Sequence, residues 1–317
     1  MKRVIIDTDP GIDDAAAILL ALASPELSVE AITTIYGNGP VEICSQNALR
    51  ILYAAGRTDI PVYRGASKPL LRAPNEGWAS LVHGKDALGN TNLPLPPDCE
   101  EPFGSRHAAI EIIDRVMASP GEITILALGR MTNLAVALSL EPRLAQAVAE
   151  VVVMGGALRV PGNVSPVASA NLFEDPEAAS LLYSSGARLV QVGLDVCDAV
   201  TISEAQLQSI CQSGSPTCRL LAAATPCLQA YYQGQGRLQK AGGVRYNDVP
   251  AVAYAIDPSL FQWRDLYVAI ETQSHLARGQ TIADWRNLTG HPPNARVCLE
   301  VDAPRLTAMF TERVASY

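Results

Sequence analysis

The sequence predicts an α/β fold, a mostly parallel sheet with helices on both faces, carried by a single domain over residues 1–317. Three observations predict it. Short β-branched runs alternate with longer helical patterns, which is the order of βαβ units. The candidate strands are continuous apolar runs, as strands buried on both faces must be. No shift in composition marks a linker, and no internal repeat divides the chain.

The elements follow in order. An apolar run at 4–6 leads into a helix over 13–23, and a strand at 29–35 leads into a helix over 41–55. Residues 123–128 lead into a helix at 132–140, 151–154 lead through a loop into 176–184, and 189–192 lead towards 204–211. A helical region at 217–233 precedes a Gly-rich stretch at 234–243, and strands at 266–271 and 296–301 close the chain. The segment 70–101, with Asn75-Glu76-Gly77 and Pro94-Leu95-Pro96-Pro97, is too long for an ordinary βα connection and reads as a flap. Residues 225–247 read as a second segment able to act as a lid. In open α/β sheets ligands sit at the carboxyl ends of the strands, so the strand-end loops are where chemistry is expected.

The 317 residues, 48% hydrophobic, supply a substantial core. A net charge of −8 with scattered Lys and Arg argues against a nucleic-acid surface. Seven cysteines form neither a CxxC pair nor a zinc spacing, and an odd number cannot pair completely, which suits a reducing compartment. Met1-Lys2-Arg3 runs straight into the first strand without a signal-like apolar region, and no stretch is long enough to span a membrane. A soluble, cytoplasmic protein is expected, acting on a small molecule and on neither nucleic acid nor membrane.

Four carboxylates, Asp7, Asp9, Asp13 and Asp14, fall within eight residues around Pro10-Gly11, where a helix begins. Like charges this close raise one another's pKa, so either protons are retained or a cation neutralises the group. Oxygen ligands select a hard ion such as Ca2+ or Mg2+. Helix capping accounts for one of the four, or two with help from the helix dipole, and leaves the others unexplained.

The segment Asp7-Thr8-Asp9-Pro10-Gly11-Ile12-Asp13-Asp14-Ala15 resembles the signature of the inosine/uridine-preferring nucleoside hydrolase family. Further matches follow in order: Thr33-Thr34 to Gly37-Asn38, Val82-His83-Gly84, Thr132-Asn133-Leu134-Ala135, Val153-Met154-Gly155-Gly156, Gly162-Asn163, and Asn171 with Asp175-Pro176-Glu177. Gly193-Leu194-Asp195-Val196 and Asp248 with Ala251-Val252-Ala253-Tyr254 complete the set. The resemblance implies the nucleoside hydrolase fold with a Rossmann-like core, and hydrolysis of the N-glycosidic bond of ribonucleosides to ribose and free base. It also implies a Ca2+ cofactor and a homodimer or homotetramer. Carried over position by position, it makes Asp9, Asp14, Asp248 and the backbone carbonyl of Leu128 the metal ligands. Asp9 is then also the base that takes the proton of the attacking water, and Asp13 grips the ribose hydroxyls. Asn38 and Asn171 match ribose-binding asparagines, Asn163 the 5′ side, and His83 a histidine that closes over the ligand. Tyr231, with Tyr232 beside it, lies where the family offers groups to the nucleobase. Carboxylates around an oxocarbenium-like sugar favour its developing positive charge.

The chain departs from the pattern twice. Asn247 stands where members commonly have His before the last metal-binding Asp; an amide can donate a hydrogen bond to a leaving base but cannot protonate it. Ser169 stands where members usually have Glu; it can bond a hydroxyl but lacks the charge and reach. Two other readings stay open: a nucleoside- or ribose-binding protein of the same fold with little turnover, and a haloacid-dehalogenase-like phosphatase, suggested by Asp7-Thr8-Asp9 alone.

Overall fold

The computed structural model describes residues 1–73, 79–97, 104–212, 214–234 and 243–317. The expected turn at Asn75-Glu76-Gly77 and most of the Gly-rich stretch 234–243 lie outside the described residues. The strands are β1 (Lys2–Thr8), β2 (Leu27–Thr34), β3 (Val62–Arg64), β4 (Ile123–Ala127), β5 (Glu150–Met154), β6 (Leu189–Val192), β7 (Ile202–Ser203), β8 (Gly243–Val244), β9 (Phe261–Leu266), β10 (Val268–Ile270), β11 (Thr281–Ala283) and β12 (Ala295–Val301). Eight of them form one sheet in the order β3-β2-β1-β4-β5-β6-β12-β9. Every neighbouring pair is parallel except β12 with β9, which is antiparallel at the edge. β7 with β8 and β10 with β11 make small antiparallel ladders apart from it.

Alternation across the pleat explains why the strands read as unbroken apolar runs. On β1, Val4 and Ile6 join one core while Ile5 joins the other; on β5, Val152 and Met154 face one way and Val151 and Val153 the other. The first core packs under the helices Ile12–Leu22, Pro216–Gly234, Val249–Ile256 and Ala303–Ser316. The second packs under Ala108–Ala118, Thr132–Leu140 and Pro176–Ser184. The helix Ile12–Leu22 is buried from Ile12 to Ala21, so it runs through the interior and is apolar all round except for Asp13 and Asp14 in its first turn.

The strand expected at 266–271 is instead two. β9 ends at Leu266 in the main sheet and β10 starts at Val268 in another. Asn294 makes the break: its Oδ1 accepts the Val268 N–H at 2.8 Å and its Nδ2 donates to the Val268 carbonyl at 2.9 Å. β9 itself is hard to read from sequence because Gln262, Trp263, Arg264 and Asp265 are exposed on a sheet edge.

The flap contains a short helix, Ser80–His83, followed by a turn built on Asp86, whose carboxylate accepts the N–H groups of Leu88 (2.8 Å), Asn90 (2.7 Å) and Asn92 (2.9 Å). Asn47 ties this turn to the end of β1, donating from Nδ2 to the carbonyls of Pro10 (3.0 Å) and Asp86 (2.9 Å). Among the described residues no helix is long and apolar enough to cross a membrane.

Candidate active site

β1 ends at the carboxyl edge of the sheet and turns through Asp9-Pro10-Gly11 into the buried helix, which aims its first-turn carboxylates at the gap above β1, β2 and β4. The positive end of the helix dipole lies there too. Asp14 accepts from the Gly11 N–H at 2.9 Å, from Asn38 Nδ2 at 2.8 Å and from the Thr8 hydroxyl. Asp9 accepts from the Asn38 N–H at 2.7 Å and from the guanidinium of Arg130. The backbone comes so close that side chains at two positions would collide with Asp9: a Cβ at Gly37 would lie 2.1 Å from Oδ2 and one at Gly129 2.6 Å from Oδ1. Asp248, at the start of the helix Val249–Ile256, completes the floor from the other end of the sequence.

One carboxylate oxygen each of Asp13, Asp14 and Asp248 can be chosen so that all three lie within 4.8 Å of one another. Asp9 is not in that triple, its carboxylate being engaged by Asn38 and Arg130. Burial pushes Asp13 up to about 6, raises Asp14, and holds Asp9 and Asp248 well above the usual carboxylate range. Neighbouring carboxylates add to the rise at Asp9, Asp14 and Asp248. The Asp13 Oδ1 is buried with no hydrogen-bond partner. Converging, oxygen-only and partly orphaned, this donor set fits a hard divalent cation.

The walls rise from several strand ends. Asn171 donates through Nδ2 to the carbonyls of Leu128 and Met154 (3.0 Å to the latter), and its Oδ1 accepts from Arg130 at 3.3 Å. The carbonyl expected to ligate a metal, that of Leu128, is thus met here by the Asn171 amide. Asn163 faces the same cleft, its Oδ1 accepting the Ala170 N–H at 2.9 Å. His83 comes in from the flap, buried, with Nδ1 accepting the Ile12 N–H at 3.2 Å and lying 3.8 Å from Asp13 Oδ1. That bond assigns the ring proton to Nε2, and burial drives its pKa down to about 4, so the imidazole is neutral. Tyr231 and Tyr232, ring centroids 5.7 Å apart, close the outer side with Leu228, Arg245 and Asn247. About 720 Å³ of atom-free space lies in the cleft when the open solvent at its mouth is counted.

Two candidates do not line the cleft: Asp14, whose carboxylate instead joins the triple with Asp13 and Asp248, and Ser169. The Ser169 Oγ accepts the Gly156 N–H at 2.7 Å, and the residue is only 1% exposed. A short hydroxyl at the foot of the helix Ala170–Glu174 reaches the nearest backbone donor and not the space beyond. Conversely, Arg130, Asp198 and Arg245 line the cleft unforeseen; Arg245 donates to Asp198 at 2.7 Å. A signal for Arg130 was present, a lone cation in the apolar strand-end segment Leu128-Gly129-Arg130-Met131, where a buried charge requires a partner.

A mostly parallel sheet whose carboxyl edge carries a carboxylate floor under asparagines is the frame of an α/β enzyme with an acidic, polar cleft. Comparison with known proteins fixes which kind. The family model described as inosine-uridine preferring nucleoside hydrolase matches residues 4–308, and the chain belongs to that family. It is 37% identical to the probable uridine nucleosidase 2 of Arabidopsis thaliana over 99% of this chain and 97% of that one. It is also 37% identical to the pyrimidine-specific ribonucleoside hydrolase RihA of Citrobacter koseri, over 99% and 98%. Among solved structures, a plant nucleoside hydrolase, PpNRh1, superposes with a TM-score of 0.92 at 37% identity over 100% of this chain and 99% of that one. The purine-preferring ribonucleoside hydrolase from Gardnerella vaginalis superposes with 0.93 at 31% identity over 99% and 98%. The protein is a hydrolase acting on N-glycosyl bonds.

Proposed function

We propose that this chain hydrolyses ribonucleosides with the aid of calcium held by Asp14, Asp248 and Asp9 or Asp13. The observation that carries the reading is the buried convergence of Asp13, Asp14 and Asp248 beneath Asn38, Asn163 and Asn171. Calcium, when bound, supplies positive charge that makes water more acidic and grips vicinal sugar hydroxyls. The rest is done by the chain. Asp9 takes one proton from the attacking water, the new C–O bond forms at the anomeric carbon, and the C–N bond breaks with its electron pair leaving on the base. The carboxylates of the floor stabilise the sugar's positive charge, and the asparagine amides orient its hydroxyls. Asn247 and Tyr231 line the cleft where they would donate hydrogen bonds to the base, and the Asn247 amide has no proton to give it.

The test is a panel of purine and pyrimidine nucleosides assayed for reducing sugar and free base, with and without chelator, on wild type and Asp9→Ala. Both base classes belong in it because the relatives' stated preferences differ. Ribose release that chelator abolishes, and that falls by roughly 10²- to 10⁴-fold in Asp9→Ala, is expected. Activity indifferent to both treatments sinks the reading.

A further inference from the structure

Arg130 is 2% exposed, one of the largest fully buried side chains in the protein. A guanidinium cannot shed its charge, so its burial must be answered by a partner. That partner is Asp9, with Asn171 Oδ1 as a second acceptor at 3.3 Å. The pair is locked in place by the backbone: a Cβ on Gly37 would lie 2.1 Å from Asp9 Oδ2 and 2.3 Å from Arg130 Nη1. The remaining groups around the floor supply no other free positive charge among the described residues. Arg245 is paired with Asp198, and His83 accepts a backbone N–H on Nδ1 as a neutral ring. Four carboxylates, Asp9, Asp13, Asp14 and Asp248, therefore share one permanent internal cation.

We propose that Arg130 is a positioning residue and resident counter-cation: it clamps Asp9 by direct ion pairing, and its fixed charge lowers the affinity of the carboxylate floor for a divalent ion. The inference rests on the reading that this floor binds such an ion. Repulsion between a unit charge and a dication several ångström apart, at an effective dielectric constant near 20, is worth about tenfold or more in a binding constant.

The experiment is calorimetric titration of calcium into chelator-stripped protein. Arg130→Met and Arg130→Gln remove the charge, and Gln keeps a hydrogen-bond donor; Arg130→Lys keeps the charge. Both neutral variants are expected to bind calcium at least about tenfold more tightly than wild type, with the Lys variant within about threefold of wild type. Neutral variants that bind no more tightly, or a Lys variant that tightens as they do, overturn the proposal. If the neutral variants fold only when calcium is present, the comparison is made through stability: a larger stabilisation by a given calcium concentration than in wild type supports the proposal, and an equal or smaller one overturns it. If they fail to fold with calcium as well, the residue is structural and the proposal falls. Absence of calcium binding by wild type and variants alike would defeat the metal reading itself, whereas a binding wild type with unmoved variants defeats only the role of Arg130.

Discussion

Two carboxylates of the floor are held by hydrogen-bond donors: Asp14 by Gly11, Asn38 and Thr8, Asp9 by Asn38 and Arg130. Asn38 spans the two, its backbone N–H on one and its side-chain amide on the other, and it can do so because Gly37 lets the chain pass against Asp9. Gly37→Ala would force Asp9 or the loop aside, and a displacement of about 1 Å at a catalytic group costs roughly 10²-fold in rate. We expect kcat/KM to fall by about that factor while the far-UV spectrum is unchanged; activity within threefold of wild type would show that the loop yields freely. Asn247 poses the opposite question, since it lines the cleft yet cannot give a proton. Restoring a titratable donor with Asn247→His should raise turnover by roughly tenfold or more on nucleosides whose base is a poor leaving group. Little change is expected for activated ones such as p-nitrophenyl riboside. Equal or lower rates across the series would mean that the base leaves without help at this position.

The helix Ile12–Leu22 is the part of the frame on which the site depends most directly. It carries Asp13 and Asp14 in its first turn and is buried on every side, so packing holds it along its whole length in addition to the Asp14 contact with the Gly11 N–H at its start. Leu19, fully buried, contributes to that packing. Leu19→Ala should destabilise the protein by about 2–5 kcal/mol through lost burial and a residual cavity. The denaturation midpoint should shift at constant m-value, and a loss under about 1 kcal/mol would show that the helix can collapse onto the gap. Elements of this kind were legible in the sequence, because strands such as β1, β4 and β5 and the helix after β1 are buried on both faces and read as unbroken apolar runs. The edge strand β9 was not, since its middle four residues face solvent, and the break before β10 depends on Asn294, which is distant in sequence. The site divides in the same way. Crowded acids at residues 7–14 announce themselves locally, but which oxygens converge depends on the turn at Pro10-Gly11 and on Asp248. The ion pair between Asp9 and Arg130 joins positions 121 apart, so only the folded sheet brings it together. Ser169 read as a wall residue because sequence order cannot tell whether a hydroxyl points into a cleft or back to Gly156.

Taken together, the buried titratable groups make the stability of this protein depend on pH in a direction that a bound cation should reverse. Burial raises Asp7 and Asp13 from 3.8 to about 6 and lowers His83 from 6.5 to about 4. A raised carboxylate keeps in the native state a proton that the unfolded chain has released, so the stability it contributes is complete below about 3.8 and lost as pH rises through about 6. The lowered imidazole works the other way: the unfolded chain takes up a proton that the native state refuses, so stability is lost as pH falls from 6.5 towards 4. Two carboxylates against one imidazole leave the native state with one more bound proton between those limits, and Asp9, Asp14 and Asp248, also raised, act with the majority. Each net proton is worth about 1.4 kcal/mol per pH unit. Chelator-treated protein should therefore melt at a higher temperature at pH 5 than at pH 7.5. Calcium, which prefers the floor ionised, should add more stability at pH 7.5 than at pH 5 and flatten or invert the slope. Melting curves in chelator and in calcium across this range decide the matter. A chelated protein whose melting temperature climbs steadily from pH 5 to 7.5 would show that the floor carboxylates are ionised without a cation, and that Arg130 and the backbone donors are enough to hold them so.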